Sequence, residues 1–306
     1  MRFNREVKFR YKEKMKTSLD CIPCLFRQAL DSARMSSADP AVHERLLREV
    51  MTWCADMDMN KPAPVMGQRI YRQLRGVTGV KDPYLKAKKK QNRLALRLLP
   101  ELRVALKVAP DRLALAARLA VAGNIIDMGG AGDPSLAGVR KALRQAMDEP
   151  LHGNFAAFRR AVKKAGSILY LADNAGEIVF DRLLIEELGP ERVTVAVRGA
   201  PALNDALLAD ARAAGLHEIV RIIDNGSDAP GTILEQTSRA FSGIFKNSKL
   251  VIAKGVGNYE TLSEAPRPVY FLFKAKCGMI ARRAGVALGA HVLARSNHAA
   301  KSNGRI

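Results

Sequence analysis

Polar residues follow each of five short apolar runs in the second half of the 306-residue sequence. They comprise carboxylates, amides and basic side chains, namely Asp173, Asn174, Arg198, Asp205, Asp224, Asn225, Asp228, Lys254, Asn258, Glu260 and Lys274. Carboxylate and amide oxygens suit a hard divalent cation such as Mg²⁺ or Mn²⁺. Lysine and arginine side chains beside such a cation suit a phosphate group. The pattern therefore predicts a metal-assisted site for phosphoryl chemistry.

The same residue types also close turns, so a purely structural interpretation stands beside the chemical one. Asp-Asn-Ala-Gly at 173–176 and Asn-Gly at 225–226 are sequences that form turns and cap helices. A single loop of this kind does not distinguish the two interpretations. Five successive loops with such residues favour a functional site.

The five apolar runs alternate with helical stretches, which is typical of a parallel sheet covered by helices. The runs occupy residues 167–171, 193–197, 218–223, 250–253 and 269–273. Their continuous Val, Ile and Leu content indicates strands that are buried on both faces. Ligands bind outside the carboxyl ends of the strands in such a sheet, so we expect all five polar loops at one crevice. No G-x-G-x-x-G follows the first run, and a dinucleotide site therefore has no support.

The first half of the sequence is helical in pattern, because apolar residues recur at spacings of three and four from residue 17 to about residue 147. We therefore expect an α/β protein in three parts. These are a basic extension at 1–16, an all-helical domain at 17–160, and a doubly wound, Rossmann-like α/β domain at 161–306 that carries the metal site.

The formal net charge is +20, with 50 Lys and Arg against 30 Asp and Glu, which raises the question of a nucleic-acid partner. Most of the excess lies in residues 1–160, where basic residues are spread along helical faces among few aromatics. Solubility and the attraction of anionic metabolites explain this distribution better than a dedicated nucleic-acid surface.

The sequence predicts neither a membrane span nor a secretory signal. No apolar run reaches the roughly 20 residues that cross a bilayer, and no apolar segment follows the basic start. We therefore expect a cytoplasmic protein with no membrane partner, whose oligomeric state is left open by the sequence.

Four cysteines are too few for a disulfide scaffold in a chain of this length, so reduced thiols are expected. Cys21 and Cys24 form a single C-x-x-C, while Cys54 and Cys277 stand apart. A redox pair and a three-cysteine metal site are open interpretations. We favour a buried structural pair that is remote from the hydrolytic step.

Six ordered strings carry a resemblance to a known family. They are AGNIID at 122–127, DNAGEIVFD at 173–181, RGAPALNDA at 198–206, IIDNGSDAPGTIL at 222–234, VIAKGVGNYETL at 251–262 and FLFKAKC at 271–277. From about residue 17 to residue 292 the chain resembles the damage-control phosphatase family, a DUF89-type family that includes acidic-residue methyltransferase-like proteins. The CIPC at 21–24 looks like the cysteine pair of one of its subfamilies.

The resemblance implies a helical domain on an α/β/α sandwich with a mostly parallel sheet. It also implies a phosphatase that depends on a divalent metal (Mg²⁺, Mn²⁺, Co²⁺ or Ni²⁺) and hydrolyses a small phosphorylated or damaged metabolite. Carried over by position, the metal ligands fall on Asp173, Asn174 and Asp205, and the catalytic residues on Asp173, Asp205 and Lys254. The residues placed at the substrate are Asn124, Asp127, Arg198, Asn258, Glu260 and Lys274.

Three classes of function follow from the sequence, and a metal-dependent phosphatase leads. A non-catalytic phosphometabolite-binding or regulatory protein would use the same crevice and show no turnover with any added metal. A nucleic-acid-binding protein would use the basic N-terminal half, and its signature would be binding with a steep salt dependence. The family's older methyltransferase label suggests a fourth class, which ranks low because no glycine-rich cofactor loop follows the first strand.

Overall fold

A seven-stranded sheet forms the centre of the computed structural model, which describes residues 14–124 and 136–296. The strands in these residues are β1 (Leu151–His152), β2 (Ile168–Leu171), β3 (Val193–Val197), β4 (Arg221–Asp224), β5 (Leu250–Lys254), β6 (Tyr270–Lys274) and β7 (His291–Arg295). Strands β2 to β6 run parallel, whereas β7 is antiparallel to β6 and parallel to β1. The predicted α/β class with a mostly parallel sheet is confirmed.

The order of the strands, β1-β7-β6-β5-β2-β3-β4, reverses at β2. The chain passes from β2 to β3 and β4 on one side, and then returns to β5 and β6 on the other. Strands β2 and β5 are paired directly, from Ile168 opposite Leu250 to Leu171 opposite Ala253. Their carboxyl ends therefore form the topological switch point at which a crevice opens in doubly wound sheets.

Six helices of the described residues precede β1 and six follow it. The first six are α1 (Cys21–Ser36), α2 (Pro40–Ala55), α3 (Ala63–Thr78), α4 (Leu85–Lys107), α5 (Arg112–Ala122) and α6 (Leu136–Asp148). The others are α7 (Phe155–Lys164), α8 (Glu177–Leu188), α9 (Leu208–Ala213), α10 (Arg239–Asn247), α11 (Gly255–Leu262) and α12 (Gly278–Ala284). In the described part of the chain, no helix combines the length and apolarity needed to cross a membrane.

Polar side chains begin several of these helices by accepting hydrogen bonds from first-turn N–H groups. Asp39, Asp111, Asn154 and Ser238 each accept such a bond, from α2, α5, α7 and α10 respectively. Each bond satisfies a donor that the helix itself leaves unpaired. The helix starts are therefore fixed by local sequence.

Apolar packing divides the described residues into three cores. The largest lies on one face of the sheet and includes side chains from α4 to α9. A second lies on the other face beneath α10 to α12, and a third is enclosed by α1, α2 and α3. Because α4 to α7 share a core with the sheet, the packing divides the chain before α4, whereas the predicted domain boundary lies near residue 160.

Asp228, in the loop after β4, ties the sheet to α3. Its carboxylate accepts hydrogen bonds from Nη2 of Arg72 at 2.7 Å, Nη2 of Arg75 at 2.5 Å and Nε2 of Gln68 at 2.7 Å. Burial alone would raise the pKa of Asp228, but the bonds from these side chains outweigh it and lower the pKa to about 2. The small core of α1 to α3 is thereby joined to the α/β part.

We expect Asp228→Asn to lower the melting temperature at neutral pH and to differ less from the wild type in acid. The pKa of Asp228 is lower in the folded than in the unfolded chain, where it is about 4. Its carboxylate therefore stabilises the fold at higher pH, and this contribution is lost as the pH falls through about 2. Melting curves of both proteins from neutral pH into acid measure the effect. A difference that stayed constant across this range would contradict the assignment.

Candidate active site

Two loops that follow neighbouring strands are joined through their backbones at the switch point. Asp173 and Asn174 follow β2, and Asp205 follows β3. The N–H of Ala206 donates to the carbonyl of Asp173 at 2.7 Å, and Asn174 forms an antiparallel bridge with Asp205. The three residues predicted to bind the metal are therefore brought together.

Gly255 leaves the space that the side chain of Asp173 occupies. Its φ of +78° lies in the left-handed region that favours glycine. A Cβ atom at this position would also collide with the carboxylate of Asp173. Both the backbone at the end of β5 and the neighbouring carboxylate thus require a glycine after Lys254.

Arg198 lies beside both carboxylates and is almost fully buried, with 2% of its surface exposed. Its Nε donates to Oδ2 of Asp205 at 2.6 Å, and its Nη2 lies 3.6 Å from Oδ1 of Asp173. One guanidinium therefore holds the two carboxylates relative to each other and offsets part of their repulsion. The predicted contact of Arg198 with substrate stays a prediction, and the geometry adds this orienting role.

Glu177 belongs to the same network, although the sequence did not assign it to the site. Its Oε2 accepts hydrogen bonds from Nδ2 of Asn174 at 3.2 Å and Nδ2 of Asn124 at 3.1 Å. The Nδ2 of Asn174 also donates to Oδ2 of Asp173 at 2.9 Å. Because the Nδ2 of Asn174 is used in this way, its Oδ1 is the atom that can coordinate a cation. The position of Glu177 in the D-N-A-G-E string was the available signal.

Lys254 is fully buried and uses its ammonium group inside the protein. Its Nζ donates to Oε1 of Glu177 at 2.5 Å, Oδ1 of Asp181 at 2.7 Å and the carbonyl of Ala120 at 2.7 Å. Burial alone would lower the pKa of Lys254, but the two carboxylates outweigh it and raise the pKa, so the group stays charged. An ammonium has three donors. A contact with phosphate would replace one of these bonds, so the geometry favours a positioning role over the predicted catalytic one.

Asn258 is fully buried and hydrogen-bonded at both ends of its amide. Its Oδ1 accepts from Oγ1 of Thr232 at 2.8 Å and Nη1 of Arg198 at 3.2 Å. Its Nδ2 donates to the carbonyls of Ala172 at 3.2 Å and Lys254 at 2.8 Å. The side chain therefore ties the end of β5 to the residue after β2, and its predicted contact with substrate stays a prediction.

Glu260 and Lys274, also predicted to contact substrate, are partly exposed. Burial raises the pKa of Glu260 to about 8, so its carboxyl group can hold a proton at neutral pH. Lys274 ends β6 beside His291, whose pKa is lowered to about 4 by burial together with the charge of Lys274, against the effect of Glu149. Asp127 lies outside the described residues.

Cys21 and Cys24 open α1 as free thiols. Cys24 is exposed and Cys21 is only partly buried, so the expectation of a buried pair is wrong. Partial burial raises the pKa of both thiols, and the nearby side chains of Glu260 and Cys277 add to the effect. A raised pKa disfavours the thiolate, which is the nucleophilic form.

A hard cation fits the donor set of the two joined loops. Within residues 14–124 and 136–296, no three His, Cys, Asp or Glu side chains are grouped as a metal site, and this donor set contains only two such residues, Asp173 and Asp205. Burial and the negative charges of Asp205 and Glu177 raise the pKa of Asp173 well above its ordinary value. The ionised form of Asp173 is thus disfavoured in this surrounding, and Mg²⁺ or Mn²⁺ bound to its carboxylate would stabilise it.

A cavity of about 630 Å³ lies apart from these residues, between α2 and α3. Trp53, Arg69 and Arg72 are among its lining residues, and of the predicted site residues that the structure describes none is. The guanidinium of Arg69 stacks over the Trp53 ring, 4.5 Å from its centroid. The cavity is therefore not assigned to the chemistry at the strand ends, although its lining residues Gln68 and Arg72 bond to Asp228 in the loop after β4.

The fold and the site define a doubly wound α/β protein with an acidic centre at its switch point, formed by Asp173, Asn174 and Asp205. Comparison with known proteins gives its family. The sequence profile of the damage-control phosphatase ARMT1-like domain matches residues 17–292. The chain belongs to this damage-control phosphatase family. The family expected from the sequence is confirmed, while the subfamily suggested by the cysteine pair stays a prediction.

Three relatives from different organisms each match at least 90% of the chain. The chain is 35% identical over 297 residues to an uncharacterized protein of Methanocaldococcus jannaschii, and the match covers 92% of this chain and 96% of that protein. It is 31% identical over 288 residues to a damage-control phosphatase of Pyrococcus horikoshii, and this match covers 92% of this chain and 99% of that protein. It is 32% identical over 281 residues to a damage-control phosphatase of Archaeoglobus fulgidus, and this match covers 90% of this chain and 97% of that protein.

A solved structure agrees with the fold. The crystal structure of a DUF89 family protein from Pyrococcus horikoshii superposes with a TM-score of 0.83 at 30% sequence identity. The superposition covers 92% of this chain and 99% of that one. The helical half and the sheet are therefore both shared with this relative.

Proposed function

We propose that this protein is a divalent-metal-dependent phosphatase that hydrolyses the phosphomonoester of a small phosphorylated or damaged metabolite. The observation that carries the proposal is the convergence of Asp173, Asn174 and Asp205 at the switch point of the sheet. Membership of the damage-control phosphatase family and the names of the Pyrococcus and Archaeoglobus relatives support phosphatase chemistry. Mg²⁺, Mn²⁺, Co²⁺ or Ni²⁺ is the proposed cofactor.

A divalent cation held by Asp173, Asn174 and Asp205 would act as a Lewis acid that neutralises the phosphoryl oxygens. The surrounding side chains keep these three residues in place. Arg198 orients both carboxylates, and Lys254 acts through Glu177 on Asn174. Outside this network Lys274, which is partly exposed, provides positive charge for the phosphoryl group as negative charge spreads in the transition state.

Water is the proposed nucleophile. Asp205 is hydrogen-bonded to Arg198, Asp173 lies against the same guanidinium, and both carboxylates are assigned to the cation, so we assign the attack on phosphorus to water rather than to either aspartate. In the hydrolysis, the bond from phosphorus to the leaving oxygen breaks and a bond to the water oxygen forms. One proton of the water ends on the leaving alcohol. A phosphorylated aspartate trapped by rapid quench and found by mass spectrometry would contradict this assignment.

A panel of phosphomonoesters assayed with each metal tests the proposal. Sugar phosphates, phosphopantetheine-like compounds and nucleotides are incubated with Mg²⁺, Mn²⁺, Co²⁺ or Ni²⁺, and released phosphate is measured. We expect turnover of at least one compound, its loss on chelation with EDTA and its return when metal is restored. Turnover that persists in EDTA would contradict the metal dependence. Saturable binding without turnover would indicate a binding or regulatory protein instead.

Replacing both Cys21 and Cys24 by Ser should leave turnover within about tenfold of the wild type. The proposed hydrolysis uses no thiolate, so the substitutions should not raise its activation free energy by more than this factor corresponds to. Steady-state kinetics with the best substrate of the panel measure the effect, and circular dichroism verifies the fold. A loss as large as that of Asp205→Asn would show that the cysteines take part in the reaction.

A further inference from the structure

The side chain of Asn92, on α4 of the helical half, reaches the loops that carry the proposed metal ligands. It is buried, with 4% of its surface exposed. Its Oδ1 accepts a hydrogen bond from the N–H of Gly176 at 2.6 Å, and its Nδ2 donates to Oδ1 of Asp210 at 2.8 Å. One amide thus spans from the loop after β2 to the helix that follows the loop after β3.

The second carboxylate oxygen of Asp210, which Asn92 does not contact, also has partners. Its Oδ2 accepts from the N–H of Leu207 at 2.9 Å, which caps α9, and lies 3.7 Å from Nζ of Lys88. Lys88 is 1% exposed and pairs with Asp82 at 2.5 Å. Asp210 is therefore fixed both by its own helix and by the helical half of the chain.

These bonds fall next to the proposed metal ligands in both loops. Gly176 is two residues after Asn174, and Leu207 is two residues after Asp205. The Asn92–Asp210 pair therefore links the loop after β2 to the start of α9. This link is additional to the backbone bonds that join the two loops directly.

We propose that Asn92 and Asp210 are positioning residues that hold the two ligand loops at the spacing required by the cation. The inference rests on the proposed function, because it presumes that Asp173, Asn174 and Asp205 bind the metal. Partners behind metal ligands typically contribute tenfold to a hundredfold in metal affinity. A role in packing alone would change stability and leave metal affinity unchanged.

The pair permits an exchange of its hydrogen-bonding groups. Asn92→Asp keeps an acceptor for the N–H of Gly176 but places two carboxylates in contact. Adding Asp210→Asn restores a donor between the two side chains, and the new amide oxygen can still accept from the N–H of Leu207. The exchanged protein therefore keeps the three hydrogen bonds with donor and acceptor reversed between the two side chains, while the negative charge moves from position 210, beside Lys88, to position 92.

The test is calorimetric titration of Mn²⁺ into the full-length protein, with hydrogen exchange at Gly176 as a readout that needs no metal. We expect Asn92→Asp to weaken Mn²⁺ binding at least ~10-fold. It should also speed exchange at Gly176, because repulsion from the carboxylate of Asp210 displaces the new side chain from this N–H. The exchanged pair should recover the wild-type affinity to within about threefold. Arg103→Ala serves as the matched control, because it removes a link from α4 to Glu186 on α8 without touching either loop. It should bind Mn²⁺ as the wild type does.

Several outcomes would overturn the inference. One is a folded Asn92→Asp protein with wild-type Mn²⁺ affinity, and another is a folded exchanged pair that binds as weakly as the single variant. If the exchanged pair does not fold, Asn92→Ala removes both bonds without adding a charge, and wild-type affinity in that protein would count equally against it. A wild-type protein that binds no Mn²⁺ contradicts the proposed function itself, which separates that failure from the others.

Discussion

Asp205→Asn should keep the fold and lower kcat at least ~100-fold, which corresponds to about 2.7 kcal/mol of barrier. The substitution keeps the size of the side chain and removes its negative charge. Asp205 supplies one of the two carboxylates assigned to the cation, and its Oδ2 is 2.6 Å from Nε of Arg198. An amide weakens both interactions. Steady-state kinetics at saturating Mn²⁺, with circular dichroism on the same sample, measure the loss.

Asp224→Asn is the matched control for this substitution. Asp224 ends β4, is exposed, and accepts a hydrogen bond from the N–H of Gly226 at 2.9 Å. We expect it to change the free energy of unfolding by about 0.5 kcal/mol or less, as exposed substitutions usually do. Its turnover should stay within about twofold of the wild type, because its carboxylate closes a turn and is not assigned to the cation. Wild-type turnover in the Asp205→Asn protein would contradict the assignment of Asp205 to the catalytic site.

Lys254→Met should lower the free energy of unfolding by about 3–5 kcal/mol, because it leaves buried carboxylates without their counter-ion. Methionine has a similar length and cannot donate to Glu177 or Asp181. Both acids are at most 2% exposed, so water cannot replace the ammonium without opening the core. Urea unfolding of both proteins at neutral pH measures the difference.

A triple variant separates the loss of charge balance from the loss of the lysine itself. Lys254→Met combined with Glu177→Gln and Asp181→Asn removes all three charges, and neutral replacements for a buried ion network are often tolerated. We expect it to be more stable than Lys254→Met alone. A Lys254→Met protein as stable as the wild type would show that the ion network does not support the fold.

The strands of the sheet were predictable from sequence where they are buried on both faces. The run at 193–197 matches β3 residue for residue. Strand β4, which lies at an edge and carries the exposed Arg221, begins three residues after the predicted start at 218. Strands β1 and β7 were not predicted. β1 has only two residues, and β7 mixes a buried His291 with an exposed Arg295, so neither gives an apolar run.

The grouping of the site was also predictable, because the carboxyl ends of parallel strands meet at one edge of the sheet. The sequence could not separate residues that face a ligand from those that support them. Lys254 is the last residue of β5 and Asn258 lies in the helix that follows, which are positions where ligand-binding residues also occur. Their partners, such as the carbonyl of Ala120, come from elements whose packing the sequence does not reveal.

Two supporting residues escaped prediction because each has an ordinary local explanation. Glu177 begins a helix, where an acidic residue is favoured by the helix dipole. Asn92 follows the basic run at 86–90, which is typical of a solvated helix face. The structure instead buries Asn92 and Lys88 against the α/β half.

The central claim is that the acidic centre at the switch point binds a divalent cation. Anomalous diffraction from a crystal grown with Mn²⁺ tests it most directly. We predict a manganese peak within about 2.0–2.2 Å of side-chain oxygens of Asp173, Asn174 and Asp205. A protein that crystallises with these three side chains ordered and its manganese bound elsewhere would contradict the claim.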